Sequence, residues 1–376
     1  MTAGAGHLVH GMGLALEAPA WPVITRAQAA AILPRFPRAG SLIGLTWHSP
    51  RPFSALTLLT TSEGEFVLKR HHHTLRTCAG LAQEHRFIAH LRAAGLSVPE
   101  VMAAMDGSGA VADGEWTYEL HRKAAGADVY RDATSWTPFE SYDHAHAAGA
   151  ALARVHVAAQ GYDAPARPPQ PLVSSFTIVP APDPFASAAA YVAARPGLSA
   201  FLADRPWRSD LAPLFDTLGK GLSDRLADQR PLWTHNDWHP SNLLWSDRGE
   251  VSTVFDFGLA DRGCALHDLA IAIERCAIAW LVMNDRRDNA IGDTGTALAL
   301  IAGYRTVLPL SRGDIATVVH LLPLVHVEFA MSEVDYFAGT LGDPAQAALA
   351  WDDYVIGHAQ WFLSRTGRDF LAGLTA

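Results

Sequence analysis

Cysteine is scarce in this 376-residue chain, which excludes two kinds of site. Cys78, Cys264 and Cys276 are an odd number of thiols, and no two of them stand in a C-x-x-C spacing. Neither a disulfide framework nor a thiolate metal site is therefore predicted. Free thiols fit a reducing compartment, so the sequence predicts a cytoplasmic protein.

Charged residues are also few, and the sign of the net charge limits the partners. Asp, Glu, Lys and Arg make up 18% of the chain, and 38 acidic against 29 basic side chains give a net charge of -9. This charge would repel a nucleic-acid backbone or an anionic membrane surface. We therefore predict no nucleic-acid or membrane partner, and the acidic balance favours a small cationic substrate.

A long uninterrupted apolar run is absent as well. The most apolar later stretch, residues 266–283, contains Asp268, Glu274 and Arg275, and the N-terminus lacks a basic segment followed by an apolar one. These features predict neither a membrane span nor a signal peptide. With 49% hydrophobic residues, the chain is nevertheless apolar enough to bury the cores of two lobes.

The pattern along the chain predicts a small β-rich lobe followed by a larger helical one. An N-terminal extension, residues 1–40, contains one short helix that is stopped by Pro34. Residues 41–122 contain short β-type runs, a hairpin turn at residues 61–64, and one amphipathic helix. Residues 123–376 are mostly helical. The predicted class is α+β.

Two charged residues of the first lobe stand at informative positions. Lys69 follows the second apolar strand of the hairpin, where a lysine by itself is usually a solvated edge residue. Glu84 recurs with Ile88 and Leu91 on one stripe of the next helix, so it is predicted to face inward. A further strand is predicted over residues 115–120, where large apolar side chains alternate.

A second hairpin brings ligands for a cation together. Apolar strands at residues 242–245 and 251–255 are joined by a turn-rich linker, and this arrangement predicts Asn242 opposite Asp256. An amide and a carboxylate are oxygen ligands that suit Mg²⁺. Asp237 precedes Asn242 by five residues, close enough to accept a proton from an attacking hydroxyl.

The motif around these residues reads, in order, His235-x-Asp237-x-His239-Pro240, Asn242 and Asp256-Phe257-Gly258. Its order and spacing resemble the catalytic and metal-binding motifs of the aminoglycoside phosphotransferase, choline kinase and homoserine kinase superfamily. Lys69, Glu84 and His267-Asp268 extend the resemblance over most of residues 41–280. It implies a two-lobed protein-kinase-like fold: a small lobe with an antiparallel sheet and one main helix, and a larger, mostly helical lobe.

The resemblance also implies an activity and roles. The activity is the ATP- and Mg²⁺-dependent transfer of the γ-phosphate to a hydroxyl of a small molecule. Asp237 would act as catalytic base or orient that hydroxyl, and Asn242 and Asp256 would hold Mg²⁺. Lys69 would contact the α- and β-phosphates, with Glu84 fixing Lys69. Such residues suffice because phosphoryl transfer depends mainly on positioning and on neutralisation of phosphate charge.

The nucleotide-binding loop departs from the protein-kinase pattern. The connection at residues 44–54 lacks G-x-G-x-x-G, and Ser49 and Ser54 are the candidates there. Backbone groups from His121 to Lys123 are predicted to meet the adenine.

Other histidines have structural interpretations. The run at residues 71–73 alternates between the faces of a strand and so would not converge on one ion. His156 lies on an apolar helical face and is predicted to be a satisfied core residue. His235 is predicted to brace the catalytic loop. His239 has two open interpretations, contact with the transferring phosphate and bracing of the loop.

The acids of the C-terminal helices are predicted to be solvated by default, and Asp268 to be a helix N-cap or a brace of the catalytic loop. These C-terminal acids are Glu274, Glu328, Glu333, Asp335, Asp352 and Asp353. Members of the resembled superfamily hold cationic substrates with acidic residues of this lobe, and Glu274 and Asp335 are the candidates.

Three other functions compete with a small-molecule kinase. A Ser/Thr protein kinase of the same superfamily is the first, although the span from Asp256 to Asp268 is too short for a peptide-docking segment. The second is a metal-dependent hydrolase in which a transition metal is bound by His235, Asp237, His239 and Asp256. The third is a nucleotide-binding regulator without catalysis. The acceptor, the choice between ATP and GTP, and the state as monomer or homodimer stay open.

Overall fold

The structure, a computed structural model, describes residues 7–285 and 290–375. The chain divides into two units, Met1–Gly126 and Ala127–Ala376. Residues 1–6, which begin the predicted N-terminal extension, lie outside the described part.

The first unit is built on an antiparallel sheet. Its described elements are β1 (Val9–His10), β2 (Leu16–Glu17), α1 (Arg26–Ile32), β3 (Leu42–His48), β4 (Ala55–Thr61), β5 (Gly64–His72), α2 (Cys78–Ala93), β6 (Glu100–Val101), β7 (Ala110–Asp113) and β8 (Trp116–Arg122). The strands β3, β4, β5 and β8 follow one another across the sheet, and β6 and β7 both pair with the far edge of β8. The predicted hairpin is confirmed, since β4 and β5 pair from Ala55↔Arg70 to Thr61↔Gly64.

Helix α2 presents the predicted stripe to the core. Glu84, Ile88 and Leu91 are all buried, as their spacing indicated. The helix begins where the Thr77 hydroxyl accepts a hydrogen bond from the Gly80 amide at 3.1 Å. It ends before Gly95, whose φ of 87° is a conformation that glycine adopts without strain.

The predicted extension takes part in the core of the first unit. Ile24, Ile32 and Phe36 are buried in one cluster with Phe66 and Leu68 of β5. This burial follows from the alternation of β5, which turns every second side chain to one face of the sheet. Strand β3 also runs further than the connection predicted at residues 44–54, because residues up to His48 pair with β4.

The second unit is mostly helical. Its described elements are α3 (Tyr142–Ala158), α4 (Pro184–Ala193), α5 (Pro196–Phe201), α6 (Trp207–Thr217), α7 (Leu222–Leu226), β9 (Leu232–Thr234), β10 (Leu243–Trp245), β11 (Val251–Val254), β12 (Asp261–Gly263), α8 (Ala265–Ala277), α9 (Thr294–Arg305), α10 (Arg312–Leu321), α11 (Val327–Asp335), α12 (Pro344–Leu349), α13 (His358–Leu363) and α14 (Arg365–Gly373). Two π-helical segments, Tyr336–Leu341 and Ala350–Gly357, interrupt the C-terminal helices.

Helices α3 and α9 pack at backbone contact. A Cβ added to Gly149 would meet the carbonyl oxygen of Leu300 at 1.9 Å, and one added to Gly303 would meet that of His146 at 1.8 Å. Only glycine permits so close an approach. The crossing holds α3, and with it His156, in a fixed position within this unit.

Helix α8 is buried along almost its whole length. Every residue from Leu266 to Ala277 is buried, including Asp268, Glu274 and Arg275. Buried charges need partners, so each of these side chains indicates a specific interaction. Among the described residues, no helix combines the length and apolar character that crossing a membrane requires.

Candidate active site

The loop that follows β9 is held by one buried carboxylate. Asp268, at the start of α8, accepts hydrogen bonds from the backbone amides of His235 at 2.9 Å and Asn236 at 2.8 Å. Asn236 has a φ of 60°, a left-handed conformation that is strained for a residue other than glycine. The Asp268 carboxylate therefore fixes the backbone conformation that precedes Asp237.

Asp268 is itself anchored by α3 and α9. His156 Nε2 lies 3.0 Å from its carboxylate, and the other ring nitrogen of His156 lies 2.7 Å from the hydroxyl of Tyr304. Burial alone would raise the pKa of Asp268, but the hydrogen bond and the charge of His156 hold that pKa below its ordinary value. These contacts agree with a bracing role for Asp268 and His156.

His235 also braces the loop. Its Nε2 donates to the carbonyl of Phe255 at 2.9 Å, and its Nδ1 accepts from the amide of Asp237 at 3.2 Å. Both ring nitrogens are thus engaged by backbone, and neither has a lone pair left for a metal ion. This arrangement removes His235 from the ligand set that a metal-dependent hydrolase would need.

Asp237, His239 and Asn242 form one hydrogen-bonded group. Asn242 Nδ2 donates to the Asp237 carboxylate at 3.1 Å and to the Asp237 carbonyl at 2.9 Å, and it lies 3.1 Å from His239 Nε2. Ser241 contacts the other nitrogen of His239 at 2.9 Å. His239 is therefore held within the loop, while the Asp237 side chain keeps 15% exposure.

The amide orientation of Asn242 fits a cation ligand. Its nitrogen faces Asp237 and His239, so the carboxamide oxygen is the end that remains for a cation. The hairpin register differs from the prediction by one residue, because the Phe255 amide, and not that of Asp256, bonds the Asn242 carbonyl at 3.1 Å. Asp256 follows directly with a φ of 57°, a left-handed conformation like that of Asn236.

Sequence reasoning did not single out Arg275 as a site residue. Its Nη1 forms a charge-assisted hydrogen bond with the Asp237 carboxylate, and its side chain is only 5% exposed. Burial lowers the pKa of Arg275 to about 10, so the guanidinium still carries its charge at neutral pH. The sequence feature that could have identified Arg275 is its position inside a largely apolar helical segment.

The first unit contains a separate buried group around Lys69. In the pairing of β5 with β8, Lys69 lies across from Glu119. The Glu119 carboxylate is bonded to three imidazoles, those of His71 at 2.9 Å, His85 at 2.7 Å and His121 at 3.0 Å. The sequence alternation of this strand had indicated only its apolar face, so Glu119 was missed. The Lys69–Glu84 pairing stays a prediction, with Glu84 buried on α2.

Both oxygens of Glu119 accept hydrogen bonds from these imidazoles. Burial alone would raise its pKa, but the charge and hydrogen bonds of His121, together with the bonds from His71 and His85, hold the pKa well below its ordinary value. Ligand atoms of His85, Glu119 and His121 lie within 4.8 Å of one another. Each imidazole already bonds the carboxylate, so the protein's own donors satisfy this buried charge.

The remaining nucleotide candidates lie at strand ends. Ser49 and Ser54 bracket the connection between β3 and β4, and the Ser49 hydroxyl accepts from the Arg51 amide at 3.2 Å. His121 pairs with both β5 and β6. Lys123 follows β8 and forms an ion pair with Glu65 at 2.8 Å.

The comparison with known families decides the identity of the fold. The model of the phosphotransferase enzyme family matches residues 53–310 of this chain. The chain belongs to this family. The family confirms the predicted enzyme class, a kinase that acts on a hydroxyl of a small molecule.

Similar proteins agree with that assignment. A homoserine kinase of Gluconacetobacter diazotrophicus is 27% identical over 267 residues, which cover 68% of this phosphotransferase and 70% of the relative. A microcompartment-associated aminopropanol kinase has a TM-score of 0.59 at 18% identity, covering 94% of this chain and 99% of that chain. An amicoumacin kinase in complex with AMP-PNP, Ca²⁺ and Ami has a TM-score of 0.57 at 16% identity, with 88% and 91% covered. These likenesses confirm the predicted fold class.

Four of the six C-terminal acids of this phosphotransferase are buried, contrary to their prediction as solvated residues, whereas Asp352 is exposed as predicted; the buried four are Glu274, Glu328, Glu333 and Asp335. Glu328 accepts from the amides of Thr177 and Ile178 at 2.7 and 2.6 Å, and Asp335 accepts from the Leu198 amide at 2.9 Å. Asp335 thus braces the first turn of α5, and its predicted contact with substrate stays a prediction.

Glu274 and Glu333 differ from these two acids in the partners of their carboxyl groups. Glu274 lies 3.6 Å from His358 Nδ1, and burial raises the pKa of Glu274 to about 7. Glu333 Oε2 has no hydrogen-bond partner among the described residues, and burial raises the pKa of Glu333 to about 8. Glu333 was not among the predicted substrate contacts, because its place inside α11 gave no sign that the helix is buried.

Proposed function

We propose that this phosphotransferase is an ATP- and Mg²⁺-dependent kinase that transfers the γ-phosphate to a hydroxyl of a small molecule. The observation that carries the proposal is the Asp237 carboxylate, held by Asn242 on a braced loop and partly exposed. A carboxylate fixed in this way can accept a hydrogen bond from an incoming hydroxyl.

Asp237 is assigned the proton transfer in this reaction. The acceptor oxygen attacks the γ-phosphorus, its proton passes to the Asp237 carboxylate, and the bond to the β,γ-bridging oxygen breaks with the electron pair leaving on ADP. Asn242 and Asp268 keep Asp237 in place for this step, because they bond its side chain and the backbone before it. Fixed geometry is the main contribution that a protein makes to phosphoryl transfer.

Asn242 and Asp256 are the residues proposed to hold Mg²⁺. The ion, when bound, would neutralise negative charge on the phosphates. Lys69 is proposed to contact the phosphates, Ser49 and Ser54 to lie at the nucleotide loop, and the segment from His121 to Lys123 to lie near the adenine.

A small acceptor is favoured over a protein. The segment between Asp256 and Asp268 contains β12, which pairs with β9 from Asp261↔Thr234 to Gly263↔Leu232. This short paired segment offers no long stretch for docking a peptide.

The test is an ADP-release assay with Mg²⁺-ATP against amino alcohols, hydroxy amino acids, sugars and aminoglycosides. We expect turnover with at least one acceptor and a loss of roughly 100-fold or more in kcat for Asp237→Ala. Asp247→Ala, which changes an exposed turn residue, is the matched control and should retain activity. Full activity of Asp237→Ala would contradict the proposal.

A further inference from the structure

Three buried side chains of the second unit bring potential metal ligands together. They are Glu274 of α8, His326 directly before α11, and His358 at the start of α13. One ligand atom of each lies within 4.8 Å of the other two. The side chains of Glu274 and His358 are 5% and 4% exposed, and His326 is 8% exposed. The group is therefore almost closed to solvent, and it joins three segments that are far apart in the sequence.

Two ring nitrogens of this group lack a hydrogen bond. Neither His326 Nδ1 nor His358 Nδ1 has a partner among the described residues. His326 Nε2 lies 3.5 Å from the Val355 carbonyl, which can only accept, so Nε2 carries the proton and Nδ1 keeps its lone pair. Burial lowers the pKa of His326 to about 4 and that of His358 to about 3, so both rings are neutral at neutral pH. Neutral imidazole is the form that binds metal ions.

The distance between Glu274 and His358 fits a shared ion better than a direct bond. Glu274 Oε1 lies 3.6 Å from His358 Nδ1, which is longer than a normal hydrogen bond. Two ligands of a tetrahedral zinc ion, each bound at about 2.0–2.2 Å, lie about 3.4 Å apart. A proton on Glu274 would satisfy at most one of the two ring nitrogens, whereas a single cation binds all three side chains.

Trp280 holds two of these side chains in place. Its ring stacks on that of His358 at 3.8 Å with an interplanar angle of 12°, and its Nε1 donates to the Glu274 carbonyl at 3.1 Å. The His326 ring lies 5.1 Å from the His358 ring on another side. Contacts that fix the rings around a metal site in this way orient its ligands.

We propose that Glu274, His326 and His358 bind a divalent transition-metal ion of the zinc type, with water at the fourth position. Two imidazoles and one carboxylate are a ligand set for zinc, whereas Mg²⁺ prefers oxygen ligands alone. The ion therefore differs from the Mg²⁺ proposed at Asn242 and Asp256. By joining α8 to the segments that begin at the two histidines, it stabilises the helical core of the second unit.

The histidine cluster around Glu119 provides an internal comparison. Its imidazole nitrogens lie 2.7–3.0 Å from the carboxylate, which are hydrogen-bond distances. The Nδ1 atoms of His326 and His358, by contrast, bond to nothing among the described residues. An ion would have to break existing hydrogen bonds to enter the Glu119 cluster, so we expect it to bind there far more weakly.

Cobalt provides a direct readout, because Co²⁺ substitutes for Zn²⁺ and its d–d absorption depends on the coordination geometry. The full chain, treated with a chelator and then dialysed, should bind about one equivalent of Co²⁺ with a tetrahedral spectrum and release it to added Zn²⁺. His358→Phe, which keeps a ring for stacking, and Glu274→Gln should each weaken binding by about 100-fold or more, because each removes a ligand. Added Zn²⁺ should raise the Tm of the wild type but not that of either variant.

Three further variants guard against other sites and against misfolding. Asp256→Asn changes the proposed Mg²⁺ site and His121→Phe changes the Glu119 cluster, so both should keep the tetrahedral spectrum. His358→Cys replaces one ligand by another, and it should retain cobalt with a new sulfur-to-cobalt charge-transfer band. This band is a positive signal that a folding defect in the phenylalanine variant cannot imitate.

Several outcomes would overturn the metal site. They are an octahedral spectrum or no cobalt binding by the wild type, a spectrum that survives in both His358→Phe and Glu274→Gln, and a spectrum that is lost in Asp256→Asn or His121→Phe. Absence of the charge-transfer band in His358→Cys would do the same. All of these measurements are made without nucleotide, so their failure is distinct from a failure of the proposed kinase activity.

Discussion

Each unit of this phosphotransferase buries a carboxylate, and the two carboxylates have opposite surroundings. Glu119 in the first unit is bonded to the imidazoles of His71, His85 and His121. Glu333 in the second unit has an oxygen without any hydrogen-bond partner among the described residues. Their pKa values differ accordingly, with that of Glu119 well below its ordinary value and that of Glu333 raised to about 8.

The difference separates a carboxyl group that the protein satisfies with its own donors from one that it does not. Hydrogen bonds let Glu119 keep its charge in the interior, whereas burial without them favours the protonated form of Glu333. Burial alone did not distinguish the two residues, because both side chains are about equally inaccessible. The number of hydrogen bonds that each carboxyl group accepts distinguished them.

The largest expected effect is the loss of Glu119. Glu119→Gln removes the charge that three histidines surround, and we expect it to lower the free energy of unfolding by about 3–5 kcal/mol at pH 7. Since the folded pKa of Glu119 is depressed, its stabilisation is present above pH 4.5 and is lost as pH falls through the folded pKa. Urea unfolding at pH 7 and below pH 4.5 measures both effects. The control is Glu115→Gln, an exposed residue before the same strand, and equal stability of the two variants would contradict the comparison.

Glu333→Gln should have a smaller effect of the opposite sign. The folded protein keeps the Glu333 proton between the ordinary pKa of 4.5 and about 8, while the unfolded chain loses it. The stability of the wild type therefore falls as pH rises through this window, whereas glutamine does not titrate. The free energy of unfolding of Glu333→Gln, measured against that of the wild type, should increase by about 2 kcal/mol or more between pH 5 and pH 8.

Glu328→Gln is the matched variant for Glu333 on the same helix. Glu328 accepts hydrogen bonds from the amides of Thr177 and Ile178 and from the Thr177 hydroxyl. Its substitution should therefore destabilise the protein at both pH values. Thermal unfolding of the two variants at pH 5 and pH 8 makes the comparison. A Glu333 variant that is destabilised in parallel with Glu328→Gln would show that Glu333 is structural too.

The smallest expected effect sharpens the description of the Glu119 cluster. His121 is its most exposed histidine, with 15% of the side chain accessible, against 8% for His71 and 10% for His85. His121→Phe keeps the ring and removes one donor of three, so we expect a loss of about 1 kcal/mol. Urea unfolding at pH 7 measures it, with His73→Phe as the exposed control. A loss as large as that of Glu119→Gln would mean that the three donors do not share the carboxylate.

The local elements of the fold followed from the sequence because they depend on short-range patterns. The hairpin of β4 and β5, the buried stripe of α2 and the second hairpin needed only period, turn residues and apolar content. The predicted catalytic loop follows the same logic, since Asp237 and Asn242 are five residues apart. The observed strand registers and element ends differ from the predicted ones by one or a few residues, as the hydrogen bond from the Phe255 amide to the Asn242 carbonyl illustrates. The reason is that pairing partners fix where a strand ends.

The order of residues by itself determined the family, the fold class and the motif residues, because these depend on the spacing of residues along one segment. Tertiary packing alone decided which acids are satisfied, and it separated Glu119, Asp335 and Glu328 from Glu333. It also placed Arg275 against Asp237, which lies 38 residues away along the chain. The physical reason is that the cost of a buried charge depends on which donors the fold brings to it, and those donors come from distant segments.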